Sequence, residues 1–196
     1  LQKLPRDFYA RDAQAVVKDL LGKVLVTCLP EGEASGIIVE CEAYLGTADK
    51  AAHSFSGRRT KRNEVLFGPP GHAYVYLIYG MYHCFNVVVG EKENPQAVLV
   101  RALEPLSGLE LMAERRKNAE KKLLTSGPGR LAQALGITRE LNGADLLADA
   151  VFIVEGSSIE PGEIVARPRI GVDYAEEWAE KPLRYYIRDN PFVSKR

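Results

Sequence analysis

The sequence carries no net charge: 26 Lys and Arg stand against 26 Asp and Glu over 196 residues. A global electrostatic pull toward nucleic acid is therefore lacking, and any such binding must come from local clustering of cations. No apolar run approaches the roughly 18 residues that a membrane span needs, so no membrane partner is expected. Residues 1–8 have no apolar core and no cleavage-site pattern, so no signal peptide is expected, and the opening Leu1 in place of a methionine points to trimming. Cysteine is scarce. Cys28, Cys41 and Cys84 form no CxxC pair and leave an odd count, which argues against a disulfide framework and favours a reducing compartment. HExxH and EF-hand patterns are missing, and His53, His72 and His83 lie at no metal-ligand spacing, so no metal is expected. GxSxG, P-loop and GxGxxG motifs are missing too, which argues against the common hydrolase and nucleotide-binding sites.

What remains is the composition of an ordinary globular chain. Its 46% apolar and 27% charged residues exclude disorder, and its length suits one domain, 1–196, with a sizeable core. Residues 12–21 read as a helix: Asp12 caps it, Ala13, Val16, Val17, Leu20 and Leu21 form an apolar stripe, and Gly22 ends it. Strand patterns follow at 23–29 and 35–44, joined by a turn at Pro30, Glu31 and Gly32. Residues 46–70 read as an extended basic loop with short helical pieces. Further strands are expected at 73–78, 83–89, 97–103, 151–155 and 163–165. Ser107 and Glu110 have the spacing of a capping box for a helix that continues into the charged stretch 114–122, and 128–135 reads as another helix. There is no repeating βαβ pattern, so the expected class is mostly antiparallel α+β.

Candidate chemistry gathers in a few places. Simple alternation along 37–44 puts Ile38, Glu40, Glu42 and Tyr44 on one face and Val39, Cys41 and Ala43 on the other. Two carboxylates beside an aromatic suit either a solvated strand face or a general base next to a stacking platform. Four Tyr fall in 74–82; Tyr74 and Tyr76 suit core or sheet-face positions. Tyr79 and Met81 flank Gly80 at a turn, where large apolar side chains serve either packing or a wedge between bases. Arg58, Arg59, Lys61 and Arg62 form an acid-free cluster, read as a solvated loop or a phosphate contact. Arg115, Arg116, Lys117, Lys121 and Lys122 are diluted by Glu114 and Glu120 and read as a solvated face. Arg101 closes an apolar strand and needs a partner, Glu104 or another acid, unless it orients a reacting group.

Several blocks together carry a resemblance. They are Glu40-Cys41-Glu42-Ala43-Tyr44-Leu45-Gly46, Ala51-Ala52-His53-Ser54, Arg62-Asn63, Pro69-Pro70-Gly71, and the run from Tyr74 to Tyr82. Arg101-Ala102-Leu103-Glu104-Pro105, Ser126-Gly127-Pro128, Arg169-Ile170-Gly171-Val172 and Lys181-Pro182-Leu183-Arg184 complete the series. In this order the chain resembles the alkyladenine (3-methyladenine) DNA glycosylase family. The resemblance implies a single compact α+β domain with a curved, mostly antiparallel sheet, surrounding helices and a protruding β-hairpin. It implies a monofunctional enzyme that flips a damaged purine from duplex DNA and hydrolyses its bond to the sugar. By matching positions, Glu42 would activate water, held by Arg101 and the backbone carbonyl of Ile170. Tyr44, His53 and Tyr76 would enclose the base, and Asn86 would crowd the 2-amino group of guanine. Tyr79 would fill the gap in the duplex with Met81 beside it, and Arg58, with Arg59, Lys61 and Arg62, would meet the DNA backbone. Phe55, Ser56 and the loop 90–95 depart from the family pattern. No cofactor is implied. The implied partner is double-stranded DNA containing damaged purines, bound by a monomer that is cytoplasmic and nucleoid-associated in a bacterium or nuclear in a eukaryote. A non-catalytic nucleic-acid-binding module of the same fold is the alternative. The four acids of 173–180 are expected to face away from DNA, opposite the basic loop.

Overall fold

The computed structural model describes residues 2–117 and 119–195; Leu1, where the sequence points to trimming, lies outside the described residues with Asn118 and Arg196. Among the described residues the strands are β1 (Val24–Leu29), β2 (Gly32–Tyr44), β3 (Ala73–Ile78), β4 (Tyr82–Val89), β5 (Gln96–Ser107), β6 (Val151–Val154), β7 (Ile164–Arg167) and β8 (Arg184–Ile187). The main path runs β3-β4-β5-β2-β1-β6, and every pairing is antiparallel. The thirteen-residue β2 is the axis of the fold. One edge pairs with β5 along most of its length. The other pairs with β1 from Gly32 to Ile37 and then with β8 from Glu40 to Glu42. Two strands cannot share one edge over the same residues, so the sheet forks there and curls into a half-barrel, with β7 outside β8.

Helices α1 (Arg6–Tyr9), α2 (Ala13–Asp19), α3 (Leu109–Arg115) and α4 (Pro128–Ala134) accompany the sheet. Asp12 caps α2 as expected, accepting from the Gln14 N–H at 2.8 Å. Val16 and Val17 of α2 and Leu131 of α4 join Leu25, Cys41, Val98, Val100 and Leu103 of the sheet in one buried cluster. The loop between β2 and β3 contains three short 3₁₀ turns, at Gly46–Ala48, Phe55–Gly57 and Glu64–Phe67.

Three expectations change. The Ser107 capping box does not form. Ser107 ends β5, where its hydroxyl meets that of Ser35 at 2.6 Å, and Gly108 in a left-handed conformation stands at the N-cap. Helix α3 stops at Arg115, short of the charged stretch, and the backbone turns left-handed at Lys117. Ile38 does not share a face with Glu40 and Glu42. It packs with Cys41 and Ala43 in the core, because a bulge interrupts the alternation. The ladder runs Ile38↔Leu103, Glu40↔Ala102, Cys41↔Val100, which leaves Val39 on β2 and Arg101 on β5 without cross-strand partners.

Candidate active site

The bulge sets up the site. It re-aims Arg101 across β2, so that its Nε lies 3.4 Å from Glu40 Oε1 and its Nη1 lies 3.3 Å from Glu42 Oε1. Arg101 therefore partners these carboxylates and not Glu104, which accepts from Asn190 at 2.9 Å. Burial would lower the Arg101 pKa, but Glu42 and Glu40 more than offset this and raise it, so the guanidinium stays charged. Glu42 is fully buried. Its Oε1 accepts from the Ile170 N–H at 2.8 Å and its Oε2 from the Tyr44 hydroxyl at 3.0 Å. A carboxylate offers about four acceptor positions, so these contacts leave room for one more donor.

Two further buried pairs brace this centre. Arg184 Nη1 reaches Glu40 Oε1 at 2.9 Å. Arg169 forks onto Asp49 at 2.6 and 2.8 Å, donates to the Ala43 carbonyl at 2.9 Å and lies 4.7 Å from the centre of the Tyr44 ring. Three guanidiniums and three carboxylates are thus buried together with balanced charge.

Beside the centre is a cavity of about 250 Å³ lined by Tyr44, His53, Tyr74, Tyr76, Asn86 and Arg101, with Ile170 at its edge. Glu42 lies behind this lining. The His53 ring stands 4.6 Å from Tyr76 and 6.0 Å from Tyr74, and His53 Nδ1 is 2.8 Å from the Tyr74 hydroxyl. Burial, with Arg62 and Arg58 nearby, pushes the His53 pKa down to about 4, so the imidazole is neutral at neutral pH. Burial pushes all three phenols up, Tyr74 to about 12, so Tyr44, Tyr74 and Tyr76 are uncharged at neutral pH. Asn86 Nδ2 donates to the Tyr74 carbonyl at 3.1 Å, which fixes the amide in the cavity wall.

The β3–β4 hairpin projects beyond the cavity. Tyr79 and Gly80 both have positive φ, 52° and 72°, as a type I′ turn requires. Tyr79 is 85% exposed and Met81 64%, so the packing reading fails for both tip side chains. On one side stands the basic loop. Asn63 ties it together, donating to the His53 and Arg58 carbonyls at 3.0 and 2.8 Å. Arg58 and Lys61 are exposed. Arg62 donates to the Leu77 carbonyl at 3.2 Å and lies 5.3 Å from the Tyr76 ring centre. Arg59 is spoken for: Glu64 takes it at 2.6 Å and Glu93 at 2.7 Å. The acid-free stretch of sequence is thus not acid-free in space.

The acidic segment also lies elsewhere than expected. Tyr174 in the 3₁₀ helix Asp173–Trp178 lines the cavity, 68% exposed, with its hydroxyl donating to the Ala51 carbonyl at 3.2 Å. The segment that carries the acids therefore borders the cavity through Val172 and Tyr174. Lys50 offsets two of them, reaching Glu176 at 2.5 Å and Glu177 at 2.8 Å.

The model of the methylpurine-DNA glycosylase family matches residues 7–191, spanning every residue of this centre. The chain belongs to that family. It is thus a DNA glycosylase, a DNA-repair enzyme whose substrate is DNA. Proteins named "Putative 3-methyladenine DNA glycosylase" from Bacillus cereus (strain Q1) and Bacillus anthracis (strain A0248) are each 52% identical to it over 202 aligned residues, covering 98% of this chain and of theirs. One from Bacillus mycoides (strain KBAB4) is 52% identical over 97% of this chain and 98% of its own. Within this glycosylase, Tyr74 and Tyr174 line the cavity and Asn63 holds the loop that carries His53, although sequence reasoning gave none of them a site role. Tyr74 alternates with Tyr76 along β3, and that spacing was the available signal. Tyr174 had none, since an aromatic among acids reads as surface.

Proposed function

We propose that the enzyme flips a methylated purine, 3-methyladenine among them, out of duplex DNA into the tyrosine-lined cavity and hydrolyses its glycosidic bond with a water activated by Glu42. The observation that carries this reading is the union of a buried, three-donor carboxylate with an aromatic cavity beside an exposed aromatic tip. Purines methylated at ring nitrogens such as N3 or N7 are cationic in the nucleoside. Neutral Tyr and His faces attract such a ring, by about 0.5–2 kcal/mol for each cation–π contact. A neutral His53 does not repel it.

In the step itself, Glu42 accepts a proton from water as the water oxygen forms a bond to C1′. The bond from C1′ to the base breaks, and its electron pair leaves with the purine and cancels the positive charge. No acid is needed on such a leaving group. Arg101 and the Ile170 backbone bound the space from which the water approaches, and Arg101 steadies the carboxylate. Tyr79 fills the gap left in the duplex with Met81 in the minor groove, at a cost in unstacking of a few kcal/mol that a damaged pair lowers. Asn86, fixed by Tyr74, crowds the 2-amino group of guanine and disfavours the normal base. Arg58, Lys61 and Arg62 meet backbone phosphates. The enzyme acts as a monomer on this reading.

The test is single-turnover base release from a duplex with one defined lesion. Glu42→Gln keeps the shape and is expected to retain lesion binding while base release falls at least about a hundredfold. Base release at the wild-type rate by folded Glu42→Gln would refute the assignment.

A further inference from the structure

The second buried carboxylate, Glu40, has no place in the reaction as written, yet its surroundings are as elaborate as those of Glu42. It is fully buried. Its Oε1 is shared between two guanidiniums, Arg184 at 2.9 Å and Arg101 at 3.4 Å. Its Oε2 accepts from the backbone N–H of Ser194 at 2.7 Å. Arg184 in turn donates to the Lys195 carbonyl at 2.7 Å and the Pro168 carbonyl at 3.0 Å, so β8 and the segment after it are clamped onto Glu40 from outside.

Arg101 is held differently. Both of its carboxylate contacts are longer than a charge-assisted hydrogen bond of about 2.7–2.9 Å, and among the described residues its Nε has no hydrogen-bond partner. It stands between two carboxylates and is tightly bound to neither. Its position therefore depends on how much of the Glu40 charge is already taken. Arg184 and Ser194 take most of it, and this leaves Arg101 free to lean toward Glu42 and the cavity.

We infer that Glu40, clamped by Arg184 and the Ser194 N–H, is a positioning residue for base release: it sets where Arg101 stands between the two carboxylates. This rests on the reading that Glu42 and Arg101 serve the reaction. The two ways of upsetting the balance act in opposite directions. Without the Glu40 charge, Arg101 closes onto Glu42 and blocks the acceptor position that water needs. Without the Arg184 charge, Arg101 is drawn onto Glu40 and away from Glu42. Either displacement slows the chemical step and leaves the aromatic cavity and Tyr79 intact.

The experiment measures single-turnover base release and lesion-duplex affinity for Glu40→Gln, Arg184→Gln, the double variant and Glu42→Gln. Each single variant at the Glu40–Arg184 pair is expected to slow release about tenfold to a hundredfold, the range for a misplaced group, with affinity changed less than about threefold. The double variant removes one charge of each sign and is expected to recover at least half of the loss on a logarithmic scale. Destabilisation alone would not produce that split between rate and affinity, or its recovery. Should the core variants fail to fold, Ser194→Pro deletes the 2.7 Å donor from a partly exposed position and is expected to slow release severalfold. Release rates within twofold of wild type in folded Glu40→Gln and Arg184→Gln, or in Ser194→Pro where those do not fold, overturn the inference when Glu42→Gln is inactive. Normal release by Glu42→Gln overturns the parent reading instead.

Discussion

Replacing Asp49 by Ala strands a buried cation. Asp49 and Arg169 are fully buried at their side chains and bound through both oxygens, and the same carboxylate accepts from the Leu45 and Ala51 N–H groups at 3.0 Å each. Arg169 keeps its bond to the Ala43 carbonyl, but nothing cancels its charge. Breaking a buried pair from one side costs about 3–5 kcal/mol. For 196 residues the unfolding entropy near the midpoint is about 0.4 kcal/mol/K, so the melting temperature should fall by about 7–12 °C. Scanning calorimetry measures this directly. The double variant Asp49→Leu with Arg169→Met removes the stranded charge and leaves the two N–H groups unpaired, and it should recover roughly half of the loss. A fall of less than about 2 °C for Asp49→Ala, or a double variant no more stable than the single one, would refute the claim that this pair braces the site. Arg169 precedes Ile170, whose N–H holds Glu42, so base release should fall with stability in the single variant.

Three further outcomes are expected. Tyr79→Gly relieves a left-handed tyrosine and should raise stability by up to about 1 kcal/mol, while lesion-duplex affinity falls by about 1–3 kcal/mol; unchanged affinity in a binding titration sinks the wedge. His53 has its pKa lowered to about 4 in the folded chain against an ordinary 6.5, so the unfolded chain binds more protons between these values. Its contribution, on the order of 3 kcal/mol, is complete above pH 6.5 and lost as pH falls toward 4; urea unfolding of His53→Asn should show a shallower loss, and equal slopes count against a buried neutral imidazole. With Arg59 engaged by two acids, Arg58, Lys61 and Arg62 are left for phosphates, and log K against log[salt] should have a slope of roughly −3; a slope near zero argues against this loop as the DNA contact.

What the sequence made legible was local. The Asp12 cap, the apolar stripe of α2, strand β3 and the aromatic tip at Gly80 all follow from residues within a turn or two of each other. The cage of Tyr44, His53 and Tyr76 was legible only through the family pattern, because His53 comes from an irregular loop that no periodicity places. The centre itself was half legible. Alternation put Glu40 and Glu42 together correctly, but it misplaced Ile38, since a bulge leaves no mark on hydrophobic spacing. Strand β8 is four residues long and was not foreseen; its pairing with β2 depends on a contact across most of the chain. Arg59 looked free because both partners lie outside the basic cluster, Glu64 five residues on and Glu93 34 residues away, and net charge counted along the chain says nothing of such encounters.

The fork in the sheet also bears on when activity can arise. Glu40 and Arg184 are 144 residues apart, so the second half of β2 waits for a strand synthesised long after it. Contacts of such separation form late, because the loop must close before they give any return. The early hairpin, the aromatic cage and the basic loop can all form while β8 is still missing, and a chain in that state could hold DNA. Its buried Glu40 would lack both Arg184 and the Ser194 N–H. On the proposed mechanism, the centre would thus be complete only once nearly the whole chain has been made and folded.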